Sequence, residues 1–263
     1  MMNIVRADLY AILRGKAIYI TFGVLLLMHI LVIGARSVGG VNFGGMENLG
    51  VDMPVFHFDG IGSAEILYTR TDNLAFFLLP LILVAAAPIF MYGTVKNDLA
   101  WGVSRTKLYL SKLATAIGLC VFLLLFYMVT GMLFATILNG FGGPVPEGYW
   151  LNLFLTVGSQ IFMMIALTCI GVFLVFTTKR TAIVNGVYIA FCLVPALVIM
   201  ILLDSGLNVA RLLEFDVFLG INRLGFFNQL ETRTIFTILG VGSVYMLATT
   251  IGGILLFRRA EIK

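Results

Sequence analysis

Six long apolar runs constrain this sequence more than any other feature. They cover residues 17–35, 74–93, 113–138, 153–176, 182–203 and 235–257. Each run is close to the roughly 20 apolar residues that a helix needs to cross a bilayer. The runs are continuously apolar and lack the alternation of a β-barrel strand. The sequence therefore predicts an all-α, polytopic membrane protein with six transmembrane helices.

The composition agrees with this prediction and excludes other classes of protein. Of the 263 residues, 60% are hydrophobic and 11% are charged, whereas a soluble domain carries roughly 25% charged residues. A cytosolic globular enzyme, a disordered chain and a disulfide-rich secreted domain are excluded on this ground. Cys120, Cys169 and Cys192 all lie within apolar runs, so we expect them to be small buried side chains.

The basic residues indicate which way the chain crosses the membrane, because Lys and Arg accumulate in cytoplasmic loops. With the N-terminus in the cytoplasm, the inner segments hold 12 basic and three acidic residues, and the outer segments hold five basic and ten acidic residues. This bias predicts that the N- and C-termini are both cytoplasmic. It also accounts for the net charge of +4 without a nucleic-acid partner.

The chain is expected to form one transmembrane domain over 1–263, with distinct polar segments between the spans. Residues 1–16 carry apolar side chains at helical spacing and predict an interfacial helix, the alternative being a simple basic flank. Residues 37–73 form a glycine-rich, acidic outer loop, which is either a cap over an exit path or an irregular connector. Residues 204–234 form a further outer loop, whose apolar pieces predict short helices.

The inner loop 94–112 is the most informative polar segment. Mainly apolar residues recur along it at intervals of three and four, and they would form one stripe on a helix. This spacing predicts a short amphipathic helix on the cytoplasmic surface. The residues of the stripe are Val95, Leu99, Val103, Thr106 and Leu110. We expect this helix to expose Trp101 and Tyr109, which are side chains suited to an interface. Gly102 is a point at which the helix can split into two short turns.

The sequence carries no motif for catalysis or for nucleotide binding. Its two histidines are His29 and His57, and it lacks a His-Glu-x-x-His zinc motif, a Gly-x-Ser-x-Gly turn and a phosphate-binding loop. The centres of the six runs hold no charged residue, which disfavours a proton- or sodium-coupled carrier. We therefore expect that the chain is not itself an enzyme and that a partner supplies any energy. For His29 a helix–helix hydrogen bond is favoured over a role in a pore.

One stretch of the inner loop resembles a known family. The order Gly102-Val103-Ser104-Arg105, followed by Tyr109 and Lys112, resembles the segment between the second and third spans of ABC transporter permeases of the ABC type-2 (exporter) class. The layout of the spans and the basic ending 257–263 are similar as well. The long outer loop 37–73 looks more like the small permeases of antimicrobial-peptide, lantibiotic-immunity and peptide-toxin exporters than like polysaccharide exporters.

The resemblance implies partners and site residues. Two cytoplasmic ABC ATPase subunits, which hold ATP and magnesium, and a second permease, identical or related, would complete an exporter in the bacterial cytoplasmic membrane. This chain would hold no cofactor, and the cargo would be an amphipathic or hydrophobic molecule such as a peptide. The coupling helix between spans two and three would contact the ATPase through Asn97, Trp101, Ser104, Arg105, Leu108 and Tyr109. A second coupling turn would be formed by Lys179 and Arg180, and the substrate path would pass His29, Pro80 and Asn185.

Two other functions stay open at this point. A non-transporting assembly or sensor subunit predicts no substrate-dependent ATP hydrolysis in reconstituted vesicles. An uncoupled channel predicts ionic current in the absence of any ATPase.

Overall fold

The computed structural model describes residues 2–36, 56–205 and 210–259. Within these ranges the chain is helical almost throughout and contains no strand, so the all-α prediction is confirmed. Short 3-10 turns lie at Thr71–Asn73, Ala210–Glu214 and Phe227–Gln229. The α-helices, in chain order, are α1 (Met2–Arg14), α2 (Lys16–Gly34), α3 (Gly62–Thr69), α4 (Leu74–Ala86), α5 (Pro88–Met91), α6 (Val95–Ala100), α7 (Arg105–Asn139), α8 (Tyr149–Thr178), α9 (Thr181–Asp204), α10 (Val217–Leu224) and α11 (Thr232–Arg259).

Five of these helices are long and apolar enough to cross a membrane: α2, α7, α8, α9 and α11. Each covers one of the predicted apolar runs to within a few residues. A helix satisfies its own backbone hydrogen bonds, which is the condition for a segment that lipid surrounds. This is the architecture of a multi-pass membrane protein.

The second predicted span is not one uninterrupted helix. Residues 74–93 divide into α4 and α5, because Pro88 has no N–H to donate to the preceding turn. A bend of 50° separates α3 from the helical stretch 71–86, and the pair counts as a sixth crossing only if it is one broken span. The span predicted over 74–93 is thus divided at Ala87, and the number six stays a prediction.

The outer loop predicted over 37–73 is partly helical. Residues 37–55 lie outside the described residues, but α3 and the 3-10 turn after it are buried against α7 and α10. The interpretation of this end of the loop as an irregular connector is therefore wrong. The apolar pieces of 204–234 do form short helices, at Ala210–Glu214 and α10, as predicted.

Helix α8 lies at the centre of the bundle. Of its most apolar window, 61% is buried, against 17–33% for the other four long helices. Small residues permit this packing, because a Cβ at Gly171 would lie 2.6 Å from Cδ1 of Ile82 on α4. The remaining long helices turn much of their apolar surface outwards, toward lipid or another protein.

The N-terminal segment forms a helix, as the sequence predicts. Helix α1 is separated from α2 at Gly15 and packs on α7, where Lys112 donates from Nζ to Oδ1 of Asp8 at 2.6 Å. Both side chains of this ion pair are largely buried. Within α1, Ile12 is buried and Leu13 is exposed. The position of α1 at a membrane interface stays a prediction.

The two ends of the bundle differ in charge. At one end, where α2, α7 and α9 begin and α8 and α11 finish, the described residues include two acids, Asp8 and Asp98, and eleven bases. We call this the basic end; its bases are Arg6, Arg14, Lys16, Lys96, Arg105, Lys107, Lys112, Lys179, Arg180, Arg258 and Arg259. At the opposite end Arg36 donates to Oδ1 of Asn139 at 3.0 and 3.2 Å. The basic residues that the sequence places in the inner segments thus lie together at one end of the bundle.

Candidate functional site

The segment 94–112 does not form one amphipathic helix. Helix α6 covers six residues and stops at Trp101, after which Gly102 has a φ of +81° that other residues rarely adopt. Ser104 then caps the next helix by accepting from the backbone N–H of Lys107 at 3.3 Å. The split at Gly102 is confirmed. The second half of the stripe, however, belongs to the first turns of the long helix α7.

As a result of this division, some of the expected contact residues lie on the surface and others are buried. Trp101 is 88% exposed, and Asn97 and Ser104 are exposed as well. Leu108 and Tyr109 are fully buried, so the prediction that Tyr109 is exposed is wrong. The error has a physical cause: these two residues lie on the inward face of the long helix α7, not on a short helix at the surface.

Tyr109 instead belongs to an aromatic cluster that joins four helices at the basic end. Its ring centroid lies 4.8 Å from that of Phe176 on α8, and its hydroxyl donates to the carbonyl oxygen of Thr249 on α11 at 3.3 Å. Phe176 also contacts Phe90 of α5 at 5.2 Å and Phe257 of α11 at 4.9 Å, centroid to centroid. The cluster fixes the segment 94–112 relative to the bundle.

Arg105 has a role that the sequence did not indicate. From Nη1 it donates to the carbonyl oxygens of Phe257, at 3.2 Å, and Arg258, at 2.9 Å. These carbonyls belong to the last turn of α11, where backbone acceptors have no partner within the helix. Arg105 therefore joins the start of α7 to the end of α11.

The predicted second turn, Lys179 and Arg180, lies at the same end. Lys179 adopts a left-handed conformation with a φ of 54°, which lets α8 stop and α9 begin within two residues. Both side chains are exposed, and with Phe90 and Met91 of α5 they line a small cleft. Tyr92, which follows α5, is 77% exposed. We call the exposed set Met91, Tyr92, Asn97, Trp101, Ser104, Lys179 and Arg180 the basic-end surface.

The three residues predicted for a substrate path do not meet. His29 lines a cavity of about 110 Å³ between α2, α3, α4 and α7. Pro80 is half-buried within α4 and does not line this cavity, and Asn185 is exposed on α9. Arg70, Asn73 and Tyr127 line it but were not predicted. In the sequence Arg70 and Asn73 precede an apolar run, and Tyr127 lies within one.

The hydrogen bond expected for His29 is not present among the described residues. Neither ring nitrogen has a partner there, although the side chain is buried. Its ring lies 4.8 Å from that of Tyr127, centroid to centroid. The side chain thus lines the cavity and is held largely by packing.

The bend after α3 exposes backbone carbonyls that polar side chains satisfy. Gln160 of α8 donates from Nε2 to the carbonyl oxygens of Tyr68, at 2.6 Å, and Ile221, at 3.3 Å. Its Oε1 accepts from the hydroxyl of Thr71 at 3.0 Å. Buried polar groups are costly unless they are paired, so Gln160 stabilises the bent segment against α8 and α10.

In the segment between α9 and α11, a buried carboxylate caps a helix. Oδ1 of Asp216 accepts from the N–H of Leu219 at 2.7 Å at the start of α10. Burial raises the pKa of Asp216, and the hydrogen bonds from Leu219 and Phe218 oppose this shift only in part. Nearby, burial lowers the pKa of Arg223, whose Nη1 lies 4.0 Å from Oε1 of Glu214.

The described residues contain no group of three His, Cys, Asp or Glu side chains placed to hold a metal ion. The three cysteines are buried and unpaired with one another, as the sequence predicts. No protein-family model matches the chain, and no curated protein matches it either. Any function must therefore be argued from the surface, the cavity and the layout of the helices.

Proposed function

We propose that the chain is the membrane-spanning permease subunit of an ATP-driven ABC exporter in the bacterial cytoplasmic membrane. Two cytoplasmic ATPase subunits bind the basic end, and a second permease completes the pathway. The cargo is an amphipathic or hydrophobic molecule, such as a peptide. The observation that carries the proposal is the basic-end surface, with its exposed aromatic side chains among cations.

The composition of this surface supports a protein partner. Trp101, Tyr92 and Met91 are among the most exposed large apolar side chains of the described chain. Aromatic residues, methionine and arginine are the residue types that interfaces favour. Because a tryptophan in the centre of an interface is often a main contributor to binding, Trp101 is the residue on which the proposal can be tested most directly.

The connections of α6 support a role in coupling. It joins α5, on one side, to α7, on the other, and Arg105 at the start of α7 holds the end of α11. The aromatic cluster adds α8 to the same group. A displacement of α6 by an ATPase would therefore be transmitted to four helices through packed contacts, which is how small shifts become rigid-body motions.

The outward faces of the long helices support a second permease. In their most apolar windows only 28% of α2, 24% of α9 and 17% of α11 is buried. Lipid can cover such faces, but so can a second membrane protein, since packing of apolar helices in a bilayer depends on shape and not on removal from water.

The experiment uses the two tryptophans of the chain as a matched pair. The tagged chain is purified from the membranes of its native host, and associated proteins are identified by mass spectrometry. We expect an ABC ATPase to be recovered with the wild type and with Trp150→Ala, which alters an exposed residue outside the basic-end surface. With Trp101→Ala we expect at least about tenfold weaker recovery.

ATP hydrolysis by the purified complex provides the second readout. We expect Trp101→Ala to reduce hydrolysis and Trp150→Ala to leave it unchanged. Recovery of no ATPase with the wild-type chain contradicts the proposal. Equal recovery and equal hydrolysis with the two variants contradict the coupling role, and would assign Trp101 to an anchoring contact with lipid.

A further inference from the structure

The cavity beside His29 is a built pocket in the half of the bundle opposite the basic end. Its volume is about 110 Å³, which is comparable with the roughly 150 Å³ of an apolar protein cavity that binds benzene. The walls are mainly apolar and come from four helices; they include Leu25, Ile33, Ile66, Leu67, Leu74 and Phe77. A space of this size and lining accommodates a single ring or a short alkyl chain.

His29 is the polar feature of this pocket that its surroundings leave unsatisfied. The side chain is only 4% exposed, and neither Nδ1 nor Nε2 has a hydrogen-bond partner among the described residues. The other short polar side chains in the wall are already engaged: Ser63 donates to the carbonyl oxygen of Gly60 at 3.0 Å, and Asn73 donates to that of Arg70 at 3.2 Å. An unpaired buried polar group is destabilising, and a bound hydrogen-bonding group would remove this cost.

The charges around the pocket favour an uncharged ligand. Arg70 lines the wall, and the carboxylate of Asp72 lies close enough to interact with it electrostatically. Arg70 already has interactions within the described chain. A ligand that brought its own charge into these apolar walls would lose its hydration without gaining a free counter-charge.

We propose that this pocket binds an uncharged amphipathic small molecule: an aromatic ring or short alkyl chain that carries one hydroxyl or amide group, hydrogen-bonded to His29. The ring or chain fills the apolar space between α2, α3 and α4. The polar group exchanges a hydrogen bond with the imidazole. The proposal concerns binding to this chain alone and holds whether or not the chain is part of a transporter.

The rim of the pocket offers a way to block it. Val32 lines the pocket on α2 and is only half-buried, whereas the adjacent Leu31 does not line it and is 60% exposed. A tryptophan at position 32 would occupy the mouth. The same substitution at position 31 would point away from the pocket, so Leu31→Trp is the matched control for Val32→Trp.

The test measures binding of three fluorinated probes by ¹⁹F NMR to the full chain in lipid nanodiscs. The probes are 4-fluorophenol, fluorobenzene and 4-fluorobenzoate, and empty nanodiscs correct for partition into lipid. For the wild type we expect saturable binding, about fivefold tighter for fluorophenol than for fluorobenzene, as one net hydrogen bond would give. In His29→Leu we expect this preference to fall below about twofold.

We expect Val32→Trp to abolish saturable binding and Leu31→Trp to retain it. Binding no greater than partition into empty nanodiscs overturns the proposal, as does binding that survives Val32→Trp. Tighter binding of fluorobenzoate than of fluorophenol overturns the assignment of an uncharged ligand. If His29→Leu does not fold, the ratio of the two neutral probes in the wild type and the position 31 and 32 pair still decide the matter.

Discussion

Arg105 shows how one side chain can hold two distant parts of the chain together. It is the first residue of α7, yet its guanidinium donates to two carbonyl oxygens in the last turn of α11. Because a cation at a helix C-terminus also interacts favourably with the helix dipole, we infer that the end of α11 depends on this contact.

We expect Arg105→Ala to destabilise the protein by about 1 kcal/mol, since the contact is partly exposed and solvent screens its charge. Thermal unfolding in detergent measures the change in stability. Hydrogen exchange should show faster exchange at the end of α11 in the variant. Lys107→Ala, which removes an exposed side chain of the same turn, is the control, and an equal effect of the two changes contradicts the assignment.

Asp216 combines a stabilising cap with a costly burial. Its carboxylate caps α10, but burial raises its pKa above the ordinary value of 3.8. The folded state therefore holds its proton to higher pH than the unfolded state does. From pH 3.8 upward to the raised pKa, the free energy of unfolding falls as pH rises, and the loss is complete above that pKa.

We expect Asp216→Asn to be more stable than the wild type at pH 7, because asparagine keeps the cap without the buried charge. At pH values below 3.8 the advantage should disappear, since the wild-type carboxyl is then neutral as well. Asp216→Ala should be less stable than Asp216→Asn by about 1 kcal/mol at either pH. Melting temperatures of the three proteins at both pH values provide the measurement, and an advantage of asparagine that does not change with pH contradicts the explanation.

At the scale of helices, two adjacent glycines of α11 have different surroundings. A Cβ at Gly253 would lie 2.6 Å from Cζ and 2.7 Å from Cε2 of the buried Tyr109 ring, whereas a Cβ at Gly252 would meet only Cε2 of Phe173 at 3.6 Å. Of these two glycines, only Gly253 is therefore needed for the close approach of α11 to α7.

We expect Gly253→Ala to lower stability by about 1–3 kcal/mol, because the added methyl group forces the Tyr109 ring or the helix to move. Gly252→Ala should be neutral or stabilising by up to about 1 kcal/mol, since alanine is the better helix former. The intrinsic helical preference is the same at both sites, so the difference in melting temperature between the two variants isolates the contact. No difference contradicts the packing of α11 on α7.

The long apolar helices could be predicted from the sequence. The short helix α3 and the burial of Tyr109, which depend on packing between helices, could not. Runs such as 153–176 are apolar along their whole length, and composition alone identifies them. Helix α3 has eight residues in a glycine-rich, acidic segment, so no periodic signal distinguishes it from a loop. Tyr109 was misplaced because its stripe has the same spacing whether a short surface helix or the start of a buried one carries it.

The candidate sites follow the same division. Trp101 and the Lys179–Arg180 turn could be identified from local patterns, because polar and aromatic residues between apolar runs lie on the surface. The pocket beside His29 could not, since it forms where α2, α3, α4 and α7 meet and depends on the bend after Thr69. The contact of Arg105 with α11 joins residues more than 150 positions apart, which no local pattern indicates.

At the scale of the whole molecule, the segregation of charge makes a definite prediction about orientation. The basic end should face the cytoplasm, because cytoplasmic segments are enriched in Lys and Arg. The exposed Lys96, beside α6, and the exposed Glu147, before α8, lie at opposite ends of the bundle. The three native cysteines are buried, and their replacement by alanine gives a background for single-cysteine labelling.

In that background we expect a membrane-impermeant maleimide to label Glu147→Cys in intact cells and to label Lys96→Cys only after the membrane is permeabilised. The physical reason is that the bilayer separates the two ends and the bias in Lys and Arg sets which end stays inside. Both positions are exposed, so a difference in labelling reports the side of the membrane and not burial within the bundle. Labelling of Lys96→Cys in intact cells would place α6 outside, where no ATP is available, and would remove the basis for an ATPase partner at the basic end.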